Sequence, residues 1–253
     1  MKGLTSNKLK IIAIILMILD HIGYYFVSYI SKEAFDVLRF FGRMAMPVFA
    51  FLIVQGFFHT KDIKMYIFKL FVTATIFQGL LFGLGIINQA YVSNYYIVIN
   101  TYLNILYSFV LSLALLWLID KKDILKNKVL RYILKLVGIA VIVLVYHLVD
   151  LELGLRVPVT ILGFYIAEKI KRSGKSAEVS QVVMLITLAL ALFADYKNLQ
   201  FNLPSILSLF LISLYNGERG KKSKWISTAF YVFYPLHHVI LYVTVLTLTH
   251  IVR

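Results

Sequence analysis

The sequence predicts an all-α, polytopic transmembrane helical bundle of about nine spans, with its N-terminus in and its C-terminus out. Three observations carry that prediction. The apolar content is too high for a soluble domain, apolar stretches of membrane length follow one another along the chain, and cations alternate between the segments that join them.

Hydrophobic residues make up 60% of the 253 positions, and mean hydropathy is +0.83. Soluble domains are about 45–50% apolar, so lipid is the solvent that suits this composition. The stretches take up nearly the whole chain, which implies a single integral membrane domain over residues 1–253. Cysteine is absent, which excludes a disulfide framework and thiolate metal ligation. No metal is expected.

The first stretch, 9–30, follows Lys2, Lys8 and Lys10 as a signal peptide would. It is longer than an h-region, lacks a small-residue cleavage site and carries Asp20 and His21, so it reads as a retained helix. The second, 36–58, contains Arg39 and Arg43, and 66–88, 96–119 and 130–149 follow. The next three, 153–168, 180–195 and 200–215, are short. Pro158 and Pro204 imply kinks or partial crossings there. The last, 226–250, carries His237 and His238.

The connecting segments test this drawing. With the N-terminus inside, twenty cations fall on the inner side; Lys32, Arg156, Lys197 and Arg253 fall on the outer side. Such an asymmetry is the positive-inside bias of a cell-membrane protein. It also assigns the net charge of +14 to an anionic cytoplasmic leaflet rather than to nucleic acid. A bacterial cytoplasmic membrane is the expected location, with the lipid bilayer as first partner.

Polar groups at membrane depth need a partner or a purpose, because a charge at the bilayer centre costs about 2.5–3.5 kcal/mol on insertion scales. At about 1.5 Å of rise per residue, His21 lies about 18 Å above the inner face, Arg43 about 20 Å and His237 about 17 Å. Asn104 and Tyr107 in the fourth span come out at about 15–20 Å on the same rise. This convergence predicts one polar chamber. Asp20 and His21 are neighbours in sequence and diverge on a helix, so Asp20 is expected on an arginine, which leaves His21 to titrate. His238, about 100° round the helix from His237, is expected to face elsewhere.

A second set gathers at the inner boundary. His59, Lys61 and Lys64 end the second span, and Tyr215-Asn216-Gly217-Glu218-Arg219-Gly220-Lys221-Lys222 precedes the ninth. Glycine-opened backbone with basic side chains suits phosphates, but so does the simpler reading of positive loops around an Asn-Gly turn. Walker, HExxH and GxSxG patterns are absent, so nucleotide hydrolysis, zinc proteolysis and serine chemistry have no motif here.

Four segments carry a resemblance: LKIIAIILMILDHIG (9–23), RFFGRMAMPVFAFLIVQGFFHT (39–60), LYNGERG (214–220) and FYVFYPLHHVIL (230–241). Together they resemble the TraX family, whose founding member acetylates the N-terminus of F-type conjugative pilin. That family is similar to wider groups of membrane acyltransferases, among them sugar O-acetylases. The resemblance implies a membrane-embedded acyltransferase that moves an acetyl group from acetyl-CoA to an amine or hydroxyl of a peptide, glycan or lipid acceptor. It carries His21 and Arg43 over as residues of acyl transfer; from their chemistry His21 is expected as general base or transient acyl carrier and Arg43, held by Asp20, as stabiliser of the tetrahedral oxyanion. His237 and Tyr234 close the site, with Arg39, Asn104 and Tyr107 toward the acceptor. His59, Lys61 and Lys64 meet CoA phosphates. The same polar layer also suits a transporter or flippase with Asp20 and His21 as a proton relay, or haem between His21 and His237.

Overall fold

The structure is a computed structural model describing residues 3–91, 102–120, 127–174, 176–194, 198–221 and 224–251, with the side chains of 86–91, 224–230 and 250–251 left out. Of the cations in the topology count, Lys2, Lys121, Lys122, Lys126, Lys175, Lys197, Lys222 and Arg253 lie outside the described residues. Among the described residues the elements are helical: α1 (Ser6–Tyr25), α2 (Lys32–Gly42), α3 (Ala45–His59), α4 (Ile63–Tyr91), α5 (Ile105–Asp120), α6 (Lys128–Leu148), α7 (Arg156–Arg172), α8 (Ala177–Phe193), α9 (Leu199–Asn202), a 3-10 turn (Leu203–Leu207), α10 (Ser208–Ser213) and α11 (Lys224–Ile251).

Four helical segments are long and apolar enough to cross a membrane: Lys32–His59, Ile63–Gly85, Lys128–Leu148 and Tyr231–Thr249. The runs Ile105–Asp120, Ala177–Phe193 and Leu199–Ser213 are apolar but shorter. Helix α6 has no buried residue and exposes Val129, Leu130, Leu136, Val143 and Leu148. An apolar surface of that extent suits acyl chains, not water.

Two expected spans are built differently. The stretch 36–58 is two helices, α2 and α3, joined at Arg43 and Met44. Pro47 has no N–H for the carbonyl of Arg43 and its ring crowds that oxygen, so the helix breaks there. The stretch 200–215 is α9, the 3-10 turn and α10, with Pro204 opening the turn.

The chain divides into two compact units: Met1–Leu52, 76–99 and 195–253 form one, and 53–75 with 100–194 form the other. In the first, α1 packs on α2 and on α11. A Cβ on Gly42 would run into the Cβ of Asp20, so glycine lets α2 press against α1 at the carboxylate. Leu16, Met17, Met44 and Ala45 form the local core, with Leu211 of α10 and Phe233 of α11 packed on it. The 214–221 loop folds over the start of α1. The amides of Ser6 and Asn7 donate to the carbonyls of Glu218 (2.8 Å) and Arg219 (3.2 Å), and Thr5 Oγ1 accepts from the Lys8 amide at 3.4 Å. Gly220, at φ 84° and against Thr5, makes that turn where a side chain would be strained. In the second unit α7 packs on α8 and on α5, and α5 on α6.

Candidate functional site

Asp20 and His21 leave α1 one residue apart and point to different neighbours. Asp20 meets α2. Arg39 Nη1 donates to its Oδ2 at 2.9 Å and to its backbone carbonyl at 3.2 Å. Arg43 Nε donates to Oδ1 at 3.0 Å, and Arg43 Nη2 closes on both carboxylate oxygens. Arg39 and Arg43 are four residues apart, one helical turn, which brings both guanidiniums to the same carboxylate. All three side chains are 13–14% exposed. The phenyl ring of Phe201 lies 4.9 Å from the Arg39 guanidinium carbon and 4.8 Å from that of Arg43, in the range of a cation–π contact. Two buried cations thus share one anion, and the cluster carries a net charge of +1.

His21 turns instead toward α11. Its Nδ1 lies 2.7 Å from His237 Nε2, and His237 Nδ1 lies 3.1 Å from the Phe233 carbonyl. A carbonyl only accepts, so His237 carries its proton on Nδ1 and presents the Nε2 lone pair. His21 must then donate from Nδ1, which leaves the lone pair on His21 Nε2. With both imidazoles neutral, the order of atoms fixes this tautomer. Two residues before His237, Pro235 leaves the carbonyl of Tyr231 without its helical donor.

His238 joins them. Its ring centroid is 4.2 Å from that of His21 and 4.3 Å from that of His237. Tyr25 Oη pairs with His238 Nδ1 at 3.0 Å, whereas His238 Nε2 is buried without a partner. Phe77 covers the group, 4.8 Å from His238 and 5.0 Å from Tyr234. The expectation that His238 faces away is therefore corrected. Adjacent residues on α11 flank the line of contact with α1, and one imidazole set between them meets both. The consecutive histidines were the available signal. Phe201, Tyr25 and Phe77 had none, because aromatics are common along the whole chain.

Asp20, His21, Arg39, Arg43, Tyr234 and His237 thus come together in the first unit, with Asp20 on the arginines and not on His21. Asn104 and Tyr107 belong to the second unit, and both are engaged there. Asn104 caps α5 by accepting from the Leu106 amide (3.1 Å) and donates to the Ala74 carbonyl (2.9 Å). Tyr107 Oη donates to Thr75 Oγ1 at 3.1 Å. Their depth was counted along a helix starting at 96, but α5 starts at Ile105, so the count does not apply to them.

His59 ends α3, Lys61 lies on the connection and Lys64 is in the first turn of α4; all three are exposed and belong to the second unit. His59 Nδ1 donates to the Gln55 carbonyl at 2.7 Å, which leaves its Nε2 free to donate to a phosphate when the ring is an imidazolium. Four residues earlier, Gln55 is buried and its Nε2 has no partner. The Tyr215–Lys221 loop does not read as a phosphate cradle, because its Glu218 and Arg219 carbonyls hold the first amides of α1. Among the described residues, His21, His237 and His238 form the group whose ligand atoms, all within 4.8 Å, could hold a metal ion. The 2.7 Å hydrogen bond between two of them places those nitrogens closer together than two ligands of one ion.

Helices long and apolar enough to cross a membrane, with histidines and arginines gathered in the first unit, define an all-helical protein of membrane type with a polar cluster. The pattern of the family described as TraX protein matches residues 5–245, and the chain belongs to that family. It is similar to a protein of Dichelobacter nodosus described as probable fimbrial assembly protein FimC, serogroup H1. They are 39% identical over 74 residues, 29% of this chain and 30% of that one, so the match covers under a third of either. No solved structure matches the chain.

Proposed function

We propose that this protein is a membrane-embedded acyltransferase of the bacterial cytoplasmic membrane, moving an acetyl group from acetyl-CoA to an amine or hydroxyl. Nine crossings with the N-terminus inside complete the reading, with the four long helices joined by the shorter apolar runs. The single observation that carries it is the histidine relay: Phe233 carbonyl, His237 and His21 in series, next in sequence to a carboxylate that holds two arginines.

In this reading His21 Nε2 takes the proton from the acceptor N–H or O–H as that atom bonds to the thioester carbonyl carbon. The His237 lone pair on Nδ1–H of His21 stabilises the imidazolium as it forms. Arg43, held by Asp20, places positive charge where the tetrahedral oxyanion develops, and Arg39 faces the acceptor. The carbon–sulfur bond then breaks and the CoA thiolate recovers the proton from His21. His59, Lys61 and Lys64 meet the CoA phosphates from the cytoplasmic side. The Dichelobacter relative's description makes a fimbrial or pilus subunit a peptide acceptor worth testing.

The test is CoA release from acetyl-CoA by the purified protein in membranes from the producing cells, with mass spectrometry for new acetyl groups. His21→Ala should lower turnover by about 10²–10⁴-fold, the range of a lost general base, while the protein stays folded. Full activity in His21→Ala would overturn the reading; substrate flux without CoA release would replace it with transport.

A further inference from the structure

We infer that the acceptor carries an oxyanion, a carboxylate or phosphate, that docks against Arg39 in a cavity on the side of the first unit away from the Thr5–Lys221 end. The inference rests on the acyltransferase reading and adds to it the chemical class of the acceptor and its side of entry.

A cavity of about 680 Å³ is lined by Asp36, Arg39, Asn198, Gln200, Phe201 and Pro204, among others. It sits beside the second half of α1, as Arg39 packs near Gly23 and Asp20, whereas the 214–221 loop covers the first residues of that helix. With the N-terminus inside, the cavity is extracytoplasmic, opposite the side from which CoA arrives.

Charge and geometry both point to an anion. Two buried guanidiniums share the carboxylate of Asp20, and an uncompensated cation in such surroundings is costly until an anion joins it. The two arginines are not equivalent. Arg43 gives Asp20 its Nε and Nη2, the edge that grips an oxyanion with two hydrogen bonds. Arg39 gives Asp20 only Nη1, and its Nε is buried with no partner. Its Nε is therefore unused by the protein, and Nε belongs to the edge that takes carboxylate or phosphate side-on. The anion does not come from the donor. An acetyl thioester is neutral, and the CoA phosphates stand at the far end of the pantetheine arm. Asp36, in the cavity wall and exposed in its pair with Lys32, opposes an incoming anion and tunes the affinity.

The experiment uses the full chain in a neutral detergent, with matched probes that differ in one charge: β-alanine against β-alaninamide, and phosphoethanolamine against ethanolamine. Binding is read by thermal shift and titration calorimetry, and acetylation of each probe by CoA release. The anionic members should bind at least tenfold tighter than their neutral partners. Arg39→Gln should erase that preference, and Asp36→Asn should strengthen it about two- to fivefold. Asp36→Asn decides the matter if Arg39→Gln does not fold. Equal binding of charged and neutral probes overturns the inference, and so does indifference to Asp36→Asn. An Arg39-dependent shift with phosphatidylglycerol alone also overturns it, because the occupant is then a lipid. The two readings fail separately. Anion binding without acetylation removes the enzyme and keeps the site, whereas acetylation without anion preference does the reverse.

Discussion

Two polar clusters, one in each unit, treat buried groups in opposite ways. In the second, Ser108, Ser112 and Tyr146 close on one another: Ser112 Oγ donates to the Ser108 carbonyl (2.7 Å), and Tyr146 Oη donates to the same carbonyl (2.8 Å). Asn104 is likewise engaged at both ends of its amide. These groups sit at depth and are satisfied, which is what lipid-embedded structure requires. Around Asp20 and His238 in the first unit, polar groups stay incomplete: a buried Nε2 on His238, an unpaired Nε on Arg39 and two cations on one carboxylate. Polarity at depth does not by itself mark a site. Unfilled hydrogen-bonding capacity does, because an unmade buried bond costs about 1–3 kcal/mol and persists where a ligand completes it.

The strongest attempt to break this contrast is Asp20→Asn. It leaves two buried guanidiniums without their carboxylate, and removing one partner of a buried ion pair costs about 3–5 kcal/mol. Thermal unfolding in detergent should show a large loss, with part of it recovered in Asp20→Asn/Arg43→Met, where the second cation is gone too. A loss below about 1 kcal/mol in the single variant would mean that the cluster is solvated and not held by Asp20.

Gly42→Ala comes next. The added methyl lands on Asp20, so α1 and α2 must part, and overpacking of this kind costs about 1–3 kcal/mol. Because the parting falls at the carboxylate, turnover should drop further than stability does. Proportionate losses in both would assign Gly42 to packing alone.

How much of this was legible beforehand follows from the same distinction. Asp20 on an arginine was readable, because a charge inside an apolar stretch must find its opposite and adjacent helical residues diverge. His21 with His237 was readable from matched depth. His238 was not, since angle on a wheel ignores a partner that sits between two residues. The break at Arg43 is implicit in Pro47, but hydropathy alone reads 36–58 as one continuous span. Asn104 misled because depth was counted along a helix that had not yet begun, and the cavity at Arg39 depends on α9 and the 3-10 turn, a broken segment that hydropathy reads as one span.

Asn104→Ala sharpens the contrast from the other side. It removes a helix N-cap, worth about 0.5–2 kcal/mol, and leaves the Ala74 carbonyl without its donor. Stability should fall by that amount while turnover of the folded fraction stays within about twofold. A loss of turnover at unchanged stability would return Asn104 to the site.

The smallest expected effect belongs to His59→Ala. His59 is exposed, its Nδ1 is held by the Gln55 carbonyl, and it would meet a CoA phosphate at the bilayer surface, where a single contact adds about 0.2–1 kcal/mol. Such a contact is made equally in the ground and transition states, so its loss should raise KM for acetyl-CoA about two- to fivefold and leave kcat unchanged. The effect should shrink at high salt, because exposed charges are screened within about 10 Å at 0.1 M. Lys61→Ala and Lys64→Ala should behave the same way, and the three should add, as exposed neighbours acting on one polyanion. A drop in kcat with KM unchanged would instead link His59 to the chemical step through Gln55, whose buried Nε2 lacks a partner, and would make the inner boundary part of the reacting site.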